Sequence, residues 1–432
     1  MLILLLCLIL SVFFTKPVFA SNTYGLHLTQ TSDINTAYSI INSSGGDWGW
    51  ATIVLRTDQL DKNTWQEFFN KCRQYHIIPI IRLATNMENN SWLRPTYTDI
   101  DNIANFLNSL NWPTKEQHVI LFNEINHGQE WEGAVDVKNF TDMAIYAAKK
   151  FKELNPNFFV LSPGLDLAAP EKPPEFKSYN NVYKEIYAYK PEYFNLFNGL
   201  ATHYYPENSS RDFNYETKYF KKNIPIFITE TGWRHLKPYT CQASAAYTLR
   251  IFKTYSKNPQ VKAITPFIYN YPNPPFEHFS WLDKNEKLFP EYNIIVNETK
   301  KKNKPEQITK YEFQKIHLPI IMLTNKEYIG QIYIKNTGQS IWGETPFCLN
   351  PHSSPNITLD AICADNLVSP NQIKIFTFKF TVHSSTLFNK SYLSFGDLPQ
   401  IEITPLNSTS TLYHPKSGIW EKLTNFIQKL VK

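Results

Sequence analysis

The chain has 432 residues, too many for one ordinary domain, and suits a barrel of about 250 residues followed by a smaller module. Its formal net charge of +5 is small for this size and, apart from Lys300-Lys301-Lys302 and the C-terminal tail, is spread along the chain, so it gives no case for nucleic acid as a partner. Five cysteines are too few for a disulfide scaffold, and those beyond residue 20 lack the CxxC spacing of a zinc site, so stability must come mainly from a core and no metal or cofactor is called for.

Residues 1–20 form an apolar stretch ending in Val18-Phe19-Ala20 before Ser21, as a secretory signal peptide with a small-residue cleavage site does. Export to the cell envelope or beyond is therefore expected, with an uncleaved N-terminal anchor as the alternative because the first residues carry no Lys or Arg. From Tyr24 short apolar runs alternate with helical stretches, the signature of a parallel α/β fold. The expected strands are Tyr24–Leu28, Ala51–Arg56, Ile78–Arg82, Val119–Phe122, Phe159–Ser162, Leu200–His203, Pro225–Thr229 and Ala263–Tyr269. Helical segments such as Thr64–Tyr75, Ile100–Leu110, Val137–Leu154, Val182–Tyr189 and Ala243–Ser256 lie between them. Eight such units predict a closed (β/α)8 TIM barrel over residues 21–304, and no GxGxxG or GxxxxGK[ST] follows a strand, which argues against nucleotide phosphates.

A Lys-rich run ends at Pro305, after which the alternation turns strand-like, and residues 305–415 are expected to form an all-β sandwich. Its runs 331–336 and 373–381 alternate with period two, and the turn from Asn336 to Trp342 resembles one found in immunoglobulin-like accessory domains. Within it Cys348 and Cys363 are close enough in sequence to bridge in an oxidising compartment, while Cys72 and Cys241 are expected to be free. Residues 416–432 read as a basic amphipathic helix with Ile419, Leu423, Phe426 and Leu430 on one face. Docking on its own domain and contact of residues 418–432 with a membrane surface both account for that stripe. The chain is expected to act as a monomer.

Two segments carry the chemistry. The runs Leu121-Phe122-Asn123-Glu124 and Ile226-Phe227-Ile228-Thr229-Glu230 each bring a glutamate to the carboxyl end of a strand, the fourth and the seventh, where a βα barrel places its active site. Breaking a glycosidic bond needs a proton for the leaving oxygen and a nucleophile or an activated water, hence two carboxyl groups facing each other. A lone strand-end glutamate is usually a solvated loop residue, but two in matching contexts favour catalysis.

Asn123-Glu124 at strand four and Thr229-Glu230-x-Gly232-Trp233 at strand seven resemble the retaining glycoside hydrolases of the large cellulase and β-xylosidase clan, over about residues 24–297. The resemblance implies hydrolysis of a carbohydrate substrate, with β linkage expected. It makes Glu124 the acid/base, Glu230 the nucleophile and Asn123 a ligand of the sugar 2-hydroxyl. It also implies an arginine that keeps the nucleophile ionised, a role for which Arg56 and Arg82 compete, and places His203 and Tyr204 beside nucleophile and substrate. Trp131, Trp233, Tyr269 and Trp281 are candidate sugar platforms. A non-catalytic carbohydrate-binding or envelope-interaction protein on the same barrel is the alternative. A lyase or aldolase would normally offer a strand-end lysine, a phosphate loop or metal ligands, and no strand here ends in one.

Overall fold

A computed structural model describes residues 21–205, 212–384, 390–398 and 400–404. The expected leader (1–20) and terminal helix (416–432) lie outside these residues. No helix among the described residues is long and apolar enough to cross a membrane. The chain divides into two compact units that meet in sequence at Ile308 and Thr309.

The first unit is mixed α/β with parallel strands: β1 (Gly25–His27), β2 (Gly49–Arg56), β3 (Ile77–Ala84), β4 (Gln117–Ile120), β5 (Phe158–Leu161), β6 (Leu200–Tyr204), β7 (Ile226–Thr231) and β8 (Val261–Ile264). Strands β1 to β5 pair in chain order in one sheet, and β6, β7 and β8 form a second. Both seams between the sheets carry a parallel bridge, Leu161 with Gly199 on one side and Tyr24 with Ile264 on the other. The expected eighth strand ran on to Tyr269, but the ladder stops at Ile264 because Pro266 brings no N–H. Beyond it Phe267 N–H donates to Thr231 and Tyr269 N–H to His27, so the segment still tracks β7 and β1.

Buried, β-branched runs such as Ile77-Ile78-Pro79-Ile80-Ile81 in β3 suit a strand covered on both faces. One small cluster of Trp50, Ile80, Ile120, Leu161, Phe227 and Ala263 gathers side chains from strands between β2 and β8. Truncating the fully buried Ile80 to Ala would cost about 2–5 kcal/mol through lost burial and the cavity left. A larger cluster packs the other strand faces against α1 (Ile34–Ile41), α2 (Lys62–Gln74), α3 (Tyr97–Asn108), α4 (Val137–Leu154), α5 (Tyr179–Tyr189), α6 (Cys241–Tyr255) and α7 (Asn293–Val296). Several of these helices start where a side chain satisfies a free backbone N–H: Asp61 caps α2, Asp136 caps α4, Thr240 caps α6, and Thr96 with Asp99 forms a capping box on α3.

The second unit has strands and no helix among its described residues. Strands β9 (Tyr311–His317), β10 (Glu327–Asn336), β13 (Ile357–Leu359) and β15 (Ile373–Val382) form a sheet in the order β9-β10-β15-β13. Strands β12 (Pro351–Ser353), β16 (Ser391–Phe395) and β17 (Ile401–Ile403) form another. Period-two alternation in β10 and β15 buries Ile332, Ile334, Phe376, Phe378 and Phe380, which share one core with Leu393 and Phe395 of the second sheet. Trp342 stacks on Phe347 in that core, at 3.8 Å between ring centroids. Cys348 of β11 (Cys348–Leu349) is disulfide-bonded to Cys363 of β14 (Ile362–Cys363), while Cys72 and Cys241 are free.

Candidate active site

The carboxyl ends of β1, β3, β4, β6 and β7 bring their polar side chains to one place. Glu230 is the penultimate residue of β7 and is buried. Its Oε1 accepts a hydrogen bond from Arg82 Nη1 of β3 at 2.8 Å, and its Oε2 accepts one from the Tyr205 hydroxyl at 3.0 Å. His203 Nδ1 lies 3.7 Å from Oε2 and His27 Nε2 lies 3.9 Å from Oε1.

Glu124 follows β4 by four residues and is only partly buried. His203 Nδ1 lies 2.7 Å from its Oε1, and His127 Nδ1 lies 3.8 Å from its Oε2. One ligand atom from each of Glu124, His203 and Glu230 lies within 4.8 Å of the others, so the two carboxyl groups approach to within that distance. Three of their four oxygens already have a hydrogen-bonding neighbour, Arg82 and Tyr205 at Glu230 and His203 at Glu124.

Local backbone makes this arrangement. A register shift in the β6–β7 ladder puts Thr202 opposite Ile228 but His203 opposite Glu230, re-aiming both side chains toward one point. Glu124 N–H donates to the Gly164 carbonyl at 2.9 Å. A Cβ on residue 164 would sit 2.3 Å from the His203 ring, so only glycine lets the two segments meet there. Phe122 and Glu124 have φ of +69° and +22°, backbone strain that the surrounding contacts hold at the end of β4.

The electrostatics separate the groups. Burial pushes the Glu230 carboxyl up, but the charges of His203 and Arg82 and the Tyr205 hydrogen bond outweigh it and hold the group below its ordinary range. Burial alone would lower His203; the charge of Glu230 and its contact with Glu124 instead push it up to about 9, so it is a cation at neutral pH. His27 goes the other way: burial drives it to about 3, leaving a neutral ring whose two nitrogens have no hydrogen-bond partner among the described residues. Glu130, whose carboxyl takes a hydrogen bond from Asn123, is pushed up to about 7 by burial and the charge of Glu124. The buried Oδ1 of Asn123 has no partner among the described residues, and a small pocket beside it is lined by Arg82, Trp92 and Glu130.

Several expected site residues stand elsewhere. Arg56 does not reach Glu230: Asp58, two residues on, captures its guanidinium through Nε and Nη2 at the surface, which leaves Arg82 as the partner of Glu230. Tyr204 points to the opposite side of β6 from His203 and packs edge-on against Tyr255 of α6. Alternation along the strand selects Tyr205 as the tyrosine on His203's face, a signal available in the sequence. Three of the four proposed platforms are core residues. Trp131 is buried against Phe122 and Phe140 with its Nε1 donating to Asn139, Trp281 stacks on Tyr292, and Tyr269 is buried with its hydroxyl on Thr36. Trp233 is buried too, its ring stacked on Tyr247 at 4.0 Å. Partly buried rings near Glu230 come instead from Phe279, edge-on to Tyr205, and Phe267, edge-on to His27, with the exposed Phe276 edge-on to Phe267. A cavity of about 690 Å³ lies at the other end of the strands, among Trp50, Ile78, His118, Phe159, Phe227 and Val261, and holds none of these groups.

No family model matches the chain, and no curated protein does. Among solved structures, it is similar to a glucosidase from Croceicoccus marinus (9% identity, TM-score 0.47, covering 84% of this chain and 97% of that one). It is also similar to an endo-β-1,4-glucanase from Xanthomonas axonopodis pv. citri (11%, 0.43, 63% and 98%) and to an exo-β-1,3-glucanase from Cryptococcus neoformans (13%, 0.40, 65% and 100%). At these identities and scores the likeness says nothing of this chain's own activity.

Proposed function

We propose that the chain is a glycoside hydrolase that cleaves an O-glycosidic bond with retention of configuration. The observation that carries this reading is the approach of the Glu124 and Glu230 carboxyl groups to within 4.8 Å at the carboxyl ends of parallel strands. Retaining enzymes hold their carboxyl groups about 5–5.5 Å apart, whereas inverting ones leave about 6.5–9.5 Å for a water.

In this reading Glu230, held ionised by Arg82 and His203, attacks the anomeric carbon while Glu124 gives a proton to the leaving oxygen. The C–O bond to the leaving group breaks as the glycosyl–Glu230 ester forms. Glu124, now a carboxylate, takes a proton from water, whose oxygen attacks the ester and releases Glu230. The unpartnered Asn123 Oδ1 would accept from a sugar hydroxyl, and Phe279 with its neighbouring rings offers an apolar face for a sugar ring.

The reading extends to architecture and location. The bridges at both seams support a closed (β/α)8 barrel, and the shared core of the two β-sheets around Trp342 supports an immunoglobulin-like sandwich. The apolar residues 1–20 and the Cys348–Cys363 bridge support export.

The test is turnover by the purified full chain on aryl β-glycosides and β-linked polysaccharides, beside Glu230→Ala. Activity that disappears in a folded Glu230→Ala protein is expected. Undiminished activity in that variant, or a folded wild-type protein that turns over no member of the panel, would count for the binding-protein alternative.

A further inference from the structure

Glu124 has two oxygens, and His203 serves only one of them. Oε1 meets His203, while Oε2, the edge left free, faces His127 Nδ1 at 3.8 Å. The far side of the His127 ring is held in turn, with Nε2 2.9 Å from Asp166 Oδ2.

The geometry points to His127 and Asp166 as a positioning pair for Glu124, which sets an imidazole edge against Oε2 and so fixes the direction in which this carboxyl faces the leaving oxygen. The assignment rests on Glu124 as the acid/base.

The pair is built in, not loosely placed. His127 N–H donates to the Glu124 carbonyl at 2.7 Å, closing a turn that sets the two side chains side by side. Phe176 packs edge-on against the ring at 5.0 Å. Asp166 is clamped by the fully buried Asn126, whose amide donates to the Asp166 carbonyl at 2.9 Å and accepts from its N–H at 3.2 Å. Its second carboxylate oxygen accepts from Ala168 N–H at 2.7 Å. The charged groups facing His127 are Asp166, Glu124 and Glu130, with the His203 cation beyond Glu124 on its other oxygen. Burial alone would discharge the ring; the Asp166 hydrogen bond, then Glu124, outweigh it and raise its pKa. Asp166 is held below its ordinary range in spite of burial, by the His127 hydrogen bond and that of Ala168.

A ring held against one edge of a carboxyl group fixes how that group faces the leaving oxygen, and orientation of that kind matters most where protonation limits the rate. His127→Asn and Asp166→Asn should therefore slow glycosides with poor leaving groups by about 10- to 100-fold, while activated aryl glycosides change by less than about threefold.

Two measurements on the full chain test this. The first is the leaving-group series of wild type, His127→Asn and Asp166→Asn. Equal losses on good and poor leaving groups would overturn the assignment. The second needs no turnover: the His127 ring is titrated by NMR in wild type, Asp166→Asn and Glu124→Gln. A titration raised in wild type and lowered by each substitution is expected. One that ignores Glu124→Gln would overturn the pair's hold on Glu124, whatever becomes of the hydrolase reading.

Discussion

Replacing Arg82 by Met is the sharpest perturbation of the proposed nucleophile, because it removes a guanidinium 2.8 Å from a buried carboxylate and keeps the aliphatic bulk. A cation at such a distance typically depresses a carboxyl pKa by about 1–3 units, equivalent to roughly 1.4–4 kcal/mol. Glu230 would keep His203 and Tyr205, so its titration should rise by about that amount without the site collapsing. The sign follows from linkage: a carboxyl depressed in the folded state adds stability above its unfolded pKa and loses it as pH falls through the folded one. In Arg82→Met that loss should begin at higher pH, and the acid limb of kcat/KM should move up by the same 1–3 units, costing about tenfold in rate per unit below it. Arg56→Met is the control, since its ion pair with Asp58 is solvent-exposed and worth less than about 1 kcal/mol. The assays are pH–rate profiles and thermal melts of both variants. A folded Arg82→Met whose acid limb coincides with wild type, or an equal shift in Arg56→Met, would refute the assignment of Arg82 to Glu230.

Gly164→Ala should displace the His203 ring, whose atoms lie 2.3 Å from the new Cβ; a fall in melting temperature or a fall in kcat of at least tenfold is expected, and a variant unchanged in both would contradict the packing. Tyr205→Phe removes one donor from Glu230 and should raise the acid limb by less than Arg82→Met does, read from the same profiles. His203, raised to about 9, should add roughly 3 kcal/mol of stability that is fully present below its ordinary pKa near 6.5 and is lost as pH rises toward 9. Urea midpoints of wild type should fall over that window and those of His203→Gln should not; parallel curves would exclude the charge.

Sequence reasoning reached the elements whose signal is local. Buried runs and their alternation with amphipathic helices marked eight strands, and the change of period near residue 305 lies close to the division at Ile308 and Thr309. Asn123, Glu124, Arg82, His203 and Glu230 converge in space because each stands at or just beyond the carboxyl end of its strand. Side-chain direction is where it failed. Tyr204 and Tyr205 are adjacent letters on opposite faces, and only strict alternation from His203 tells them apart. Arg56 and Arg82 both end strands, but a carboxylate two residues away takes one of them, a competition that strand position does not show. Trp131 and Trp281 read as platforms because aromatic rings suit sugars, yet a large ring is as readily spent on burial, and both lie in the core. Asp166 and Phe279 sit in loops after β5 and β8 with no periodicity to register them, so only the folded chain connects them to the site.

The two glutamates are not interchangeable, and the reason is visible in what surrounds each. A nucleophile must be ionised, still and sheltered, whereas an acid/base must exchange protons with a leaving group and with water. Glu230 is buried, accepts from Arg82 and Tyr205, and has the charged His203 beside it. Glu124 is partly open, lies beyond its strand, and keeps one edge clear of hydrogen bonds. The assignment predicts different products when azide stands in for the missing carboxyl group. With Glu230→Ala, azide should attack the anomeric carbon directly from the vacated face and give an inverted glycosyl azide. With Glu124→Ala, the glycosyl–Glu230 ester should form first from an activated aryl glycoside, and azide should then replace it with net retention. NMR of the anomeric proton distinguishes the two products. Retained azide from Glu230→Ala together with inverted azide from Glu124→Ala would reverse the roles while leaving the double displacement intact.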